Sequence, residues 1–251
     1  MPSSTLVTAA ILVIGDEILS GRTKDRNIGY IAEHLTRMGI EVREVRVVPD
    51  VEAEIVEGAN ALRHRYDYVF TTGGIGPTHD DITADSIAKA LGVPIGEDPR
   101  AIALLLERIK PEDLNEARRR MARIPDGAEL VQNPISKAPG FVIDNVIVMA
   151  GVPNIMQAML DDVTPRLRTG TPLTIETVDA LGLPEGAYAE ALASVAKARP
   201  ETSIGSYPSY KDGTFHNQIV VRGREPAEVA AARDDILALL RTLPGASVTQ
   251  A

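Results

Sequence analysis

Cysteine is absent from all 251 residues, and so is tryptophan. The first absence excludes disulfides, thiolate metal sites and a cysteine nucleophile, and it is compatible with a reducing compartment. Aromatic residues make up only 4%, too few for the stacking platforms that hold single-stranded nucleic acid. Basic residues are outnumbered, 26 against 35 acidic ones, for a formal charge of -9. A chain of that sign is repelled by phosphate backbones and by anionic lipid surfaces. The apolar run at residues 9–14 follows no basic segment and is far shorter than the roughly 20 residues that cross a bilayer. The expectation is a cytoplasmic protein with neither nucleic acid nor membrane as partner.

What is present is an ordinary apolar fraction, 44%, enough for the core of one large or two modest domains. Residues 8–14 (TAAILVI) read as a strand buried on both faces, as in a parallel sheet. A helix follows over 28–38, with Ile28, Ile31, Leu35 and Met38 on one face, Asn27 or Asp25 as its cap and Gly39 as its stop. Residues 41–48 read as a second strand, 51–64 as a second helix, and 66–70 as a third strand rich in aromatic and β-branched side chains. This β-α-β-α-β order predicts a three-layer, mostly parallel α/β sheet. Helices are expected at 101–109, 114–121 and 154–167, short strands at 129–132 and 141–144, and a last core strand at 146–150.

The composition changes at Thr169-Gly170-Thr171-Pro172, which reads as a linker. Beyond it the expected order is a strand at 173–178, a helix at 185–198, a hairpin of 202–210 and 214–222 turning at Lys211-Asp212-Gly213, a helix at 226–243 and a strand at 246–249. That is β-α-β-β-α-β, the pattern of a ferredoxin-like unit. The expected domains are residues 1–168 and a small α+β domain, 172–251.

Chemistry concentrates in two loops. Thr71-Thr72-Gly73-Gly74-Ile75-Gly76-Pro77-Thr78-His79-Asp80-Asp81-Ile82-Thr83 leaves the third strand and precedes a helix at 84–91. Its glycines permit a sharp turn and close approach of a ligand to the backbone, and Pro77 stiffens it. Thr83 or Asp81 is positioned to cap the helix, whose N-terminus favours anions. A phosphate suits such a loop, but Asp80 and Asp81 would repel it unless a divalent ion lay between them. A plain strand-to-helix turn with an acidic cap fits the same residues. A second loop, Gly15-Asp16-Glu17-Ile18-Leu19-Ser20-Gly21, leaves the first strand with the same adjacent carboxylates. In open parallel sheets ligands sit outside the carboxyl ends of strands, so Asp16, Glu17, Asp80 and Asp81 are expected at one crevice. Lys137, in the loop 133–140, is either a phosphate partner or a surface lysine, and the basic cluster Arg118, Arg119, Arg120 and Arg123 either covers an anion or forms a solvated face.

These loops, with Asn27, the stretch from Thr72 to Thr78, and Ala138-Pro139-Gly140-Phe141, resemble the MoaB/Mog molybdopterin-binding domain, most closely its CinA-like branch (competence/damage-inducible protein A). The resemblance covers roughly residues 8–168, and the segment after it is similar to the small domain that follows in CinA-type proteins. It implies a phosphorylated nucleotide or pterin as ligand and a homo-oligomer, dimer or trimer. On the CinA-like side it implies metal-dependent hydrolysis of nucleotide pyrophosphates of the ADP-ribose or FAD type; on the MoaB/Mog side, binding without hydrolysis in molybdenum cofactor biosynthesis. The cofactor implied is Mg²⁺, Mn²⁺ or Co²⁺, with or without a monovalent cation. Carried onto this chain, the metal ligands are Asp16, Asp80 and Asp81, with Glu17 beside them in catalysis. The ligand contacts are Gly15, Asn27, Thr72, Gly73, Gly74, Gly76, Pro77, Thr78, Lys137, Pro139 and Gly140. The sequence ends where longer members continue into a nicotinamide-mononucleotide amidase domain, so that activity is not implied. It departs from those members at Ser136-Lys137, where many have Gly-Thr or Gly-Ser, and at Val152-Pro153-Asn154-Ile155-Met156, where they have Pro-Pro-x-Glu-Met.

Overall fold

The structure is a computed structural model and describes residues 6–244 and, for the backbone, 247–250. Up to Arg63 the order is β1 (Val7–Ile14), α1 (Asp16–Leu19), α2 (Ile28–Arg37), β2 (Ile40–Val48) and α3 (Glu52–Arg63). Next come β3 (Tyr68–Thr72), α4 (Thr83–Leu91), β4 (Ile95–Glu97), α5 (Pro99–Leu106), α6 (Glu116–Arg120) and β5 (Arg123–Pro125). Then follow β6 (Glu129–Val131), β7 (Gly140–Ile143), β8 (Val146–Met149) and α7 (Pro153–Val163). The remaining elements are β9 (Thr174–Leu181), α8 (Ala189–Ala198), β10 (Thr202–Tyr207), β11 (Tyr210–Lys211), β12 (Thr214–Gly223), α9 (Pro226–Arg241) and β13 (Ser247–Gln250). The chain divides into two compact units between Gly170 and Thr171.

The larger unit is built on a six-stranded sheet in the order β2-β1-β3-β8-β7-β6. The first four strands are parallel, while β7 and β6 continue the sheet antiparallel. Period-two alternation in β1 explains the layers. Ala10, Leu12 and Ile14 face one side with α3 and α4; Val7, Ala9, Ile11 and Val13 face the other with α2 and α7. Both faces are covered, so β1 is apolar throughout, as expected of a central parallel strand. Ile31 and Leu35 of α2, and Ile55, Ala59 and Leu62 of α3, are fully buried as the helical spacing predicts. Each such leucine or isoleucine contributes about 1.5–3 kcal/mol.

Several boundaries differ from the sequence expectation for local reasons. The helix expected from 101 begins at Pro99, because Asp98 caps it by accepting from Arg100 N–H at 2.7 Å. The helix expected over 114–121 shortens to α6, capped by Asn115. Beyond α7 the chain tightens to a 3₁₀ turn at Thr164–Arg166, where Pro165 cannot donate a helical hydrogen bond. In addition β4 and β5, absent from the expectation, pair antiparallel at Gly96 and Ile124. The cap of α2 is Asp25, whose Oδ1 accepts from the N–H groups of Asn27 and Ile28 at 3.1 and 2.8 Å. Asn27 instead donates through Nδ2 to Gly151 O at 2.8 Å.

The smaller unit has the sheet order β10-β12-β9-β13, all pairs antiparallel, with β11 beside β12. This is the ferredoxin-like arrangement that the β-α-β-β-α-β pattern predicts. Val178, Ala180, Ile219 and Val221 from the sheet meet Val229, Ala232, Ile236 and Leu240 of α9. The turn expected at 211–213 is present, with Asp212 and Gly213 at φ 52° and 79°. The terminal strand expected at 246–249 is β13; Ala246 lies outside the described residues. Among the described residues no helix is long and apolar enough to cross a membrane.

Candidate functional site

Sheet order makes β1 and β3 neighbours although β2 intervenes in sequence. The strand order therefore reverses between β1 and β3, which is where such sheets open a ligand crevice. Val13 sits opposite Thr72, and Thr72 opposite Met149, so the loops after β1, β3 and β8 leave side by side. The loop after β2 joins them, since Gly15 N–H donates to Val48 O at 3.1 Å. Two glycines allow this crowding. At Gly73, φ is +106° and a Cβ would overlap the carbonyl oxygen of Ile14; at Gly74, φ is +66° and a Cβ would overlap the Thr83 hydroxyl. The need for glycine at 74 thus comes from packing within the loop rather than from the ligand side.

The result is a cleft of about 610 Å³ in the larger unit. One wall is acidic and polar: Gly15, Glu17, Thr23, Asp50, Asp80 and Asp81, with the loop from Gly73 to Pro77. The other includes Met121, Val152, Ile155 and Met159, which suits the flat apolar faces of a heterocycle. A second cavity of about 230 Å³, the side lobe, shares Ile14, Glu17, Thr23, Gly151 and Pro153 with the main cleft.

The predicted residues distribute unevenly. Gly15, Glu17, Gly73, Gly74, Gly76, Pro77, Asp80 and Asp81 line the main cleft and Asn27 and Thr72 border the side lobe, whereas Asp16 and Thr78 line neither. Pro139 faces a separate small cavity behind the glycine loop. Gly140 is buried beneath Val148, where a Cβ would overlap the Val148 carbonyl oxygen. Lys137, at φ 66°, pairs with Glu107 at 2.6 Å and does not line the cleft. Neither Thr83 nor Asp81 caps α4. The Thr83 hydroxyl donates back to Gly73 O at 2.9 Å, and Asp81 Oδ2 accepts from Thr78 N–H and hydroxyl at 2.7 and 2.5 Å. Asp81 closes a turn inside the loop.

The backbone donors are likewise divided. Gly73 N–H is committed to Met149 O at 3.2 Å. Among the described residues, no acceptor is paired with the N–H groups of Gly74, Ile75 and Gly76, which leaves three consecutive donors at the cleft edge. Of the basic cluster, Arg118 donates to Asp113 O at 2.6 Å, Arg119 pairs with Glu97 at 2.9 Å and Arg123 pairs with Asp85. Arg120 reaches Asp81 O at 3.4 Å from below, and its buried Nε has no partner among the described residues.

Asp50, at the carboxyl end of β2, is the residue that sequence reasoning passed over. Its Oδ2 accepts from Asp16 N–H at 3.0 Å. Burial raises its carboxyl above the ordinary value, and repulsion from Asp16, Glu17 and Asp80 adds to the shift against that hydrogen bond. The four carboxylates therefore feel one another across the loops. Asp80 is displaced the other way: the Thr78 hydroxyl, whose closest partner is Asp81, and the backbone N–H of Asp80 hold its carboxyl below the usual range. The His79 side chain is almost fully exposed. Among the described residues no three His, Asp or Glu side chains gather closely enough to hold a metal ion alone.

Comparison with known proteins agrees with this geometry. Residues 10–169 match the family described as a probable molybdopterin binding domain, and residues 173–248 match the middle domain of FAD synthase. A protein of Pyrobaculum arsenaticum is 33% identical over 258 residues, covering 96% of this chain and 97% of its own. A CinA-like protein of Myxococcus xanthus is 32% identical over 209 residues, covering 78% of this chain and 50% of its own. The crystal structure of the protein CinA with unknown function from Thermoplasma acidophilum superposes with a TM-score of 0.61 at 34% identity, over 64% of this chain and 98% of that one. By the family match over most of the larger unit and by these relatives, the chain belongs to the MoaB/Mog molybdopterin-binding-domain family, in its CinA-like branch.

Proposed function

We propose that the protein is a metal-dependent nucleotide pyrophosphatase acting on a phosphorylated nucleotide of the ADP-ribose or FAD type. The observation that carries this reading is the juxtaposition, on one cleft, of three unpaired backbone donors at 74–76 with the carboxylates of Glu17, Asp50 and Asp80. The donors suit a diphosphate; the carboxylates alone would repel it. Mutual repulsion around Asp50 is what a divalent cation relieves. Since no three acids gather closely, the donor set fits Mg²⁺, Mn²⁺ or Co²⁺ held by one or two carboxylates, by water and by the phosphates themselves. Of the expected ligands Asp80 lines the cleft and Asp16 does not, so Asp80 is the ligand we assign, with Asp81 stabilising the loop that presents it. When bound, such an ion neutralises developing phosphoryl charge and acidifies a water molecule. The N–H groups of Gly74, Ile75 and Gly76 orient the diphosphate. Glu17 or Asp50, both lining the cleft, takes the proton. The match of the small unit to an FAD synthase middle domain supports a nucleotide ligand.

Incubation with ADP-ribose and FAD in the presence of each metal should release mononucleotides, and EDTA should stop the release. Absence of products across substrates and metals would overturn the reading. A second reading, a non-hydrolytic molybdopterin- or nucleotide-binding protein, is favoured by the family match itself; it predicts a retained pterin or nucleotide and no turnover. Either reading carries a cytoplasmic homo-oligomer, dimer or trimer, which light scattering would detect.

A further inference from the structure

We propose that the side lobe is a second anion subsite, built by Lys24 and Arg26, for a phosphate at the far end of the ligand from the diphosphate. This rests on the nucleotide reading above and deepens it. The loop between α1 and α2 carries Arg22, Lys24 and Arg26 at alternate positions in a chain whose net charge is -9. Among the described residues none of the three has an ion-pair or hydrogen-bond partner, whereas the arginines of the cluster 118–123 are largely engaged. The Asp25 carboxylate between them accepts from the N–H groups of Asn27 and Ile28 and forms no ion pair with either cation among the described residues. Lys24 and Arg26 both line the lobe, together with Thr23, Thr72 and the acids Glu17 and Asp25. The loop is pinned, since Thr23 N–H donates to Glu17 O at 2.9 Å and Asn27 anchors it to Gly151 at 2.8 Å. Two unpaired cations are thus held beside a cavity that shares part of its lining with the main cleft. Both cations are exposed to solvent, and a lobe of this size accepts a phosphate monoester with part of its sugar.

The test has two arms. In the first, inorganic phosphate is titrated into the ¹⁵N-labelled protein and into a Lys24→Gln/Arg26→Gln variant. The expected result is saturable shifts of the Thr23–Arg26 amides in the wild type and none in the variant. Shifts confined to residues 74–76 would leave the diphosphate reading standing and overturn this one, as would equal shifts in wild type and variant. In the second, binding of ADP-ribose is compared with ADP-ribose 2′-phosphate by calorimetry. The wild type should prefer the extra phosphate by about tenfold, the range of a charge-assisted hydrogen bond, and the variant should lose the preference while still binding ADP-ribose. A wild type without preference overturns the subsite; a wild type that binds neither nucleotide overturns the nucleotide reading and the subsite with it.

Discussion

Asp80 and Asp50 differ in how their surroundings treat a negative charge. Asp80 is exposed and stabilised in its ionised form by Thr78 and its own amide; Asp50 is half-buried and faces three other acids. Asp80→Asn keeps the shape of the side chain but removes the charge a hard cation requires. Its pyrophosphatase rate should fall on the order of 10²-fold or more, with the melting temperature unchanged; equal rates in variant and wild type would remove Asp80 from the metal site. For Asp50 the sign of the effect runs the other way. A carboxyl whose folded-state pKa lies above the unfolded value contributes stability that is complete below that value, ordinarily 3.8, and is lost as pH rises through the raised one. Asp50→Asn should therefore melt at a higher temperature than wild type at pH 7 in EDTA, and the gain should vanish below about pH 4, while turnover falls. A variant less stable at both pH values would show that the Asp16 hydrogen bond matters more than the repulsion. Asp50 was open to the argument that singled out Asp16 and Asp80, since it too follows a parallel strand. What hid it was the absence of a glycine-rich or doubly acidic signature around Pro49-Asp50.

At the level of elements, periodicity made β1, α2, α3 and β3 readable, because their apolar residues repeat at the spacing that the sheet and its two helical layers impose. The short pair β4 and β5 was not readable: three residues give no period, and their partners lie far apart in sequence. The glycine loop was readable as a turn but not in its internal bonding. Thr83 and Asp81 have the chemistry of caps, yet the nearer carbonyl of Gly73 and the amide of Thr78 take them first. Two substitutions separate backbone need from ligand need. Gly73→Ala forces a Cβ against the rigid Ile14 carbonyl and should destabilise by about 2–4 kcal/mol, the range of a strained left-handed residue with an added backbone clash. Gly74→Ala meets the Thr83 hydroxyl first, and Thr83→Ala by itself loses the bond to Gly73 O, so adding Gly74→Ala to Thr83→Ala should lower the melting temperature less than adding it to wild type. If the two losses are equal, the left-handed φ rather than the Thr83 hydroxyl is what excludes alanine.

On the scale of the whole molecule, the change from a parallel β-α rhythm to a hairpin-centred one signalled two separate cores. Each core closes on its own residues, Ile11, Phe70 and Leu160 being in the larger and Val178, Ile219 and Ile236 in the smaller. The cleft and its side lobe draw every lining residue from the larger unit. Residues 167–173 contain only loop between the 3₁₀ turn after α7 and β9, and a protease needs an extended segment free of such structure. Limited trypsin digestion should cut first at Arg168, although its guanidinium pairs with Asp67 and its N–H with the Tyr68 hydroxyl at 2.8 Å. Those bonds make the site salt-dependent, because an exposed pair weakens as ionic strength rises. Cleavage should therefore quicken in high salt and in Asp67→Asn, where the guanidinium is released. A larger fragment beginning at Met1 and ending near 168 should then keep nucleotide binding, measured by calorimetry. Loss of binding on this single cut would mean that the smaller unit contributes to the site.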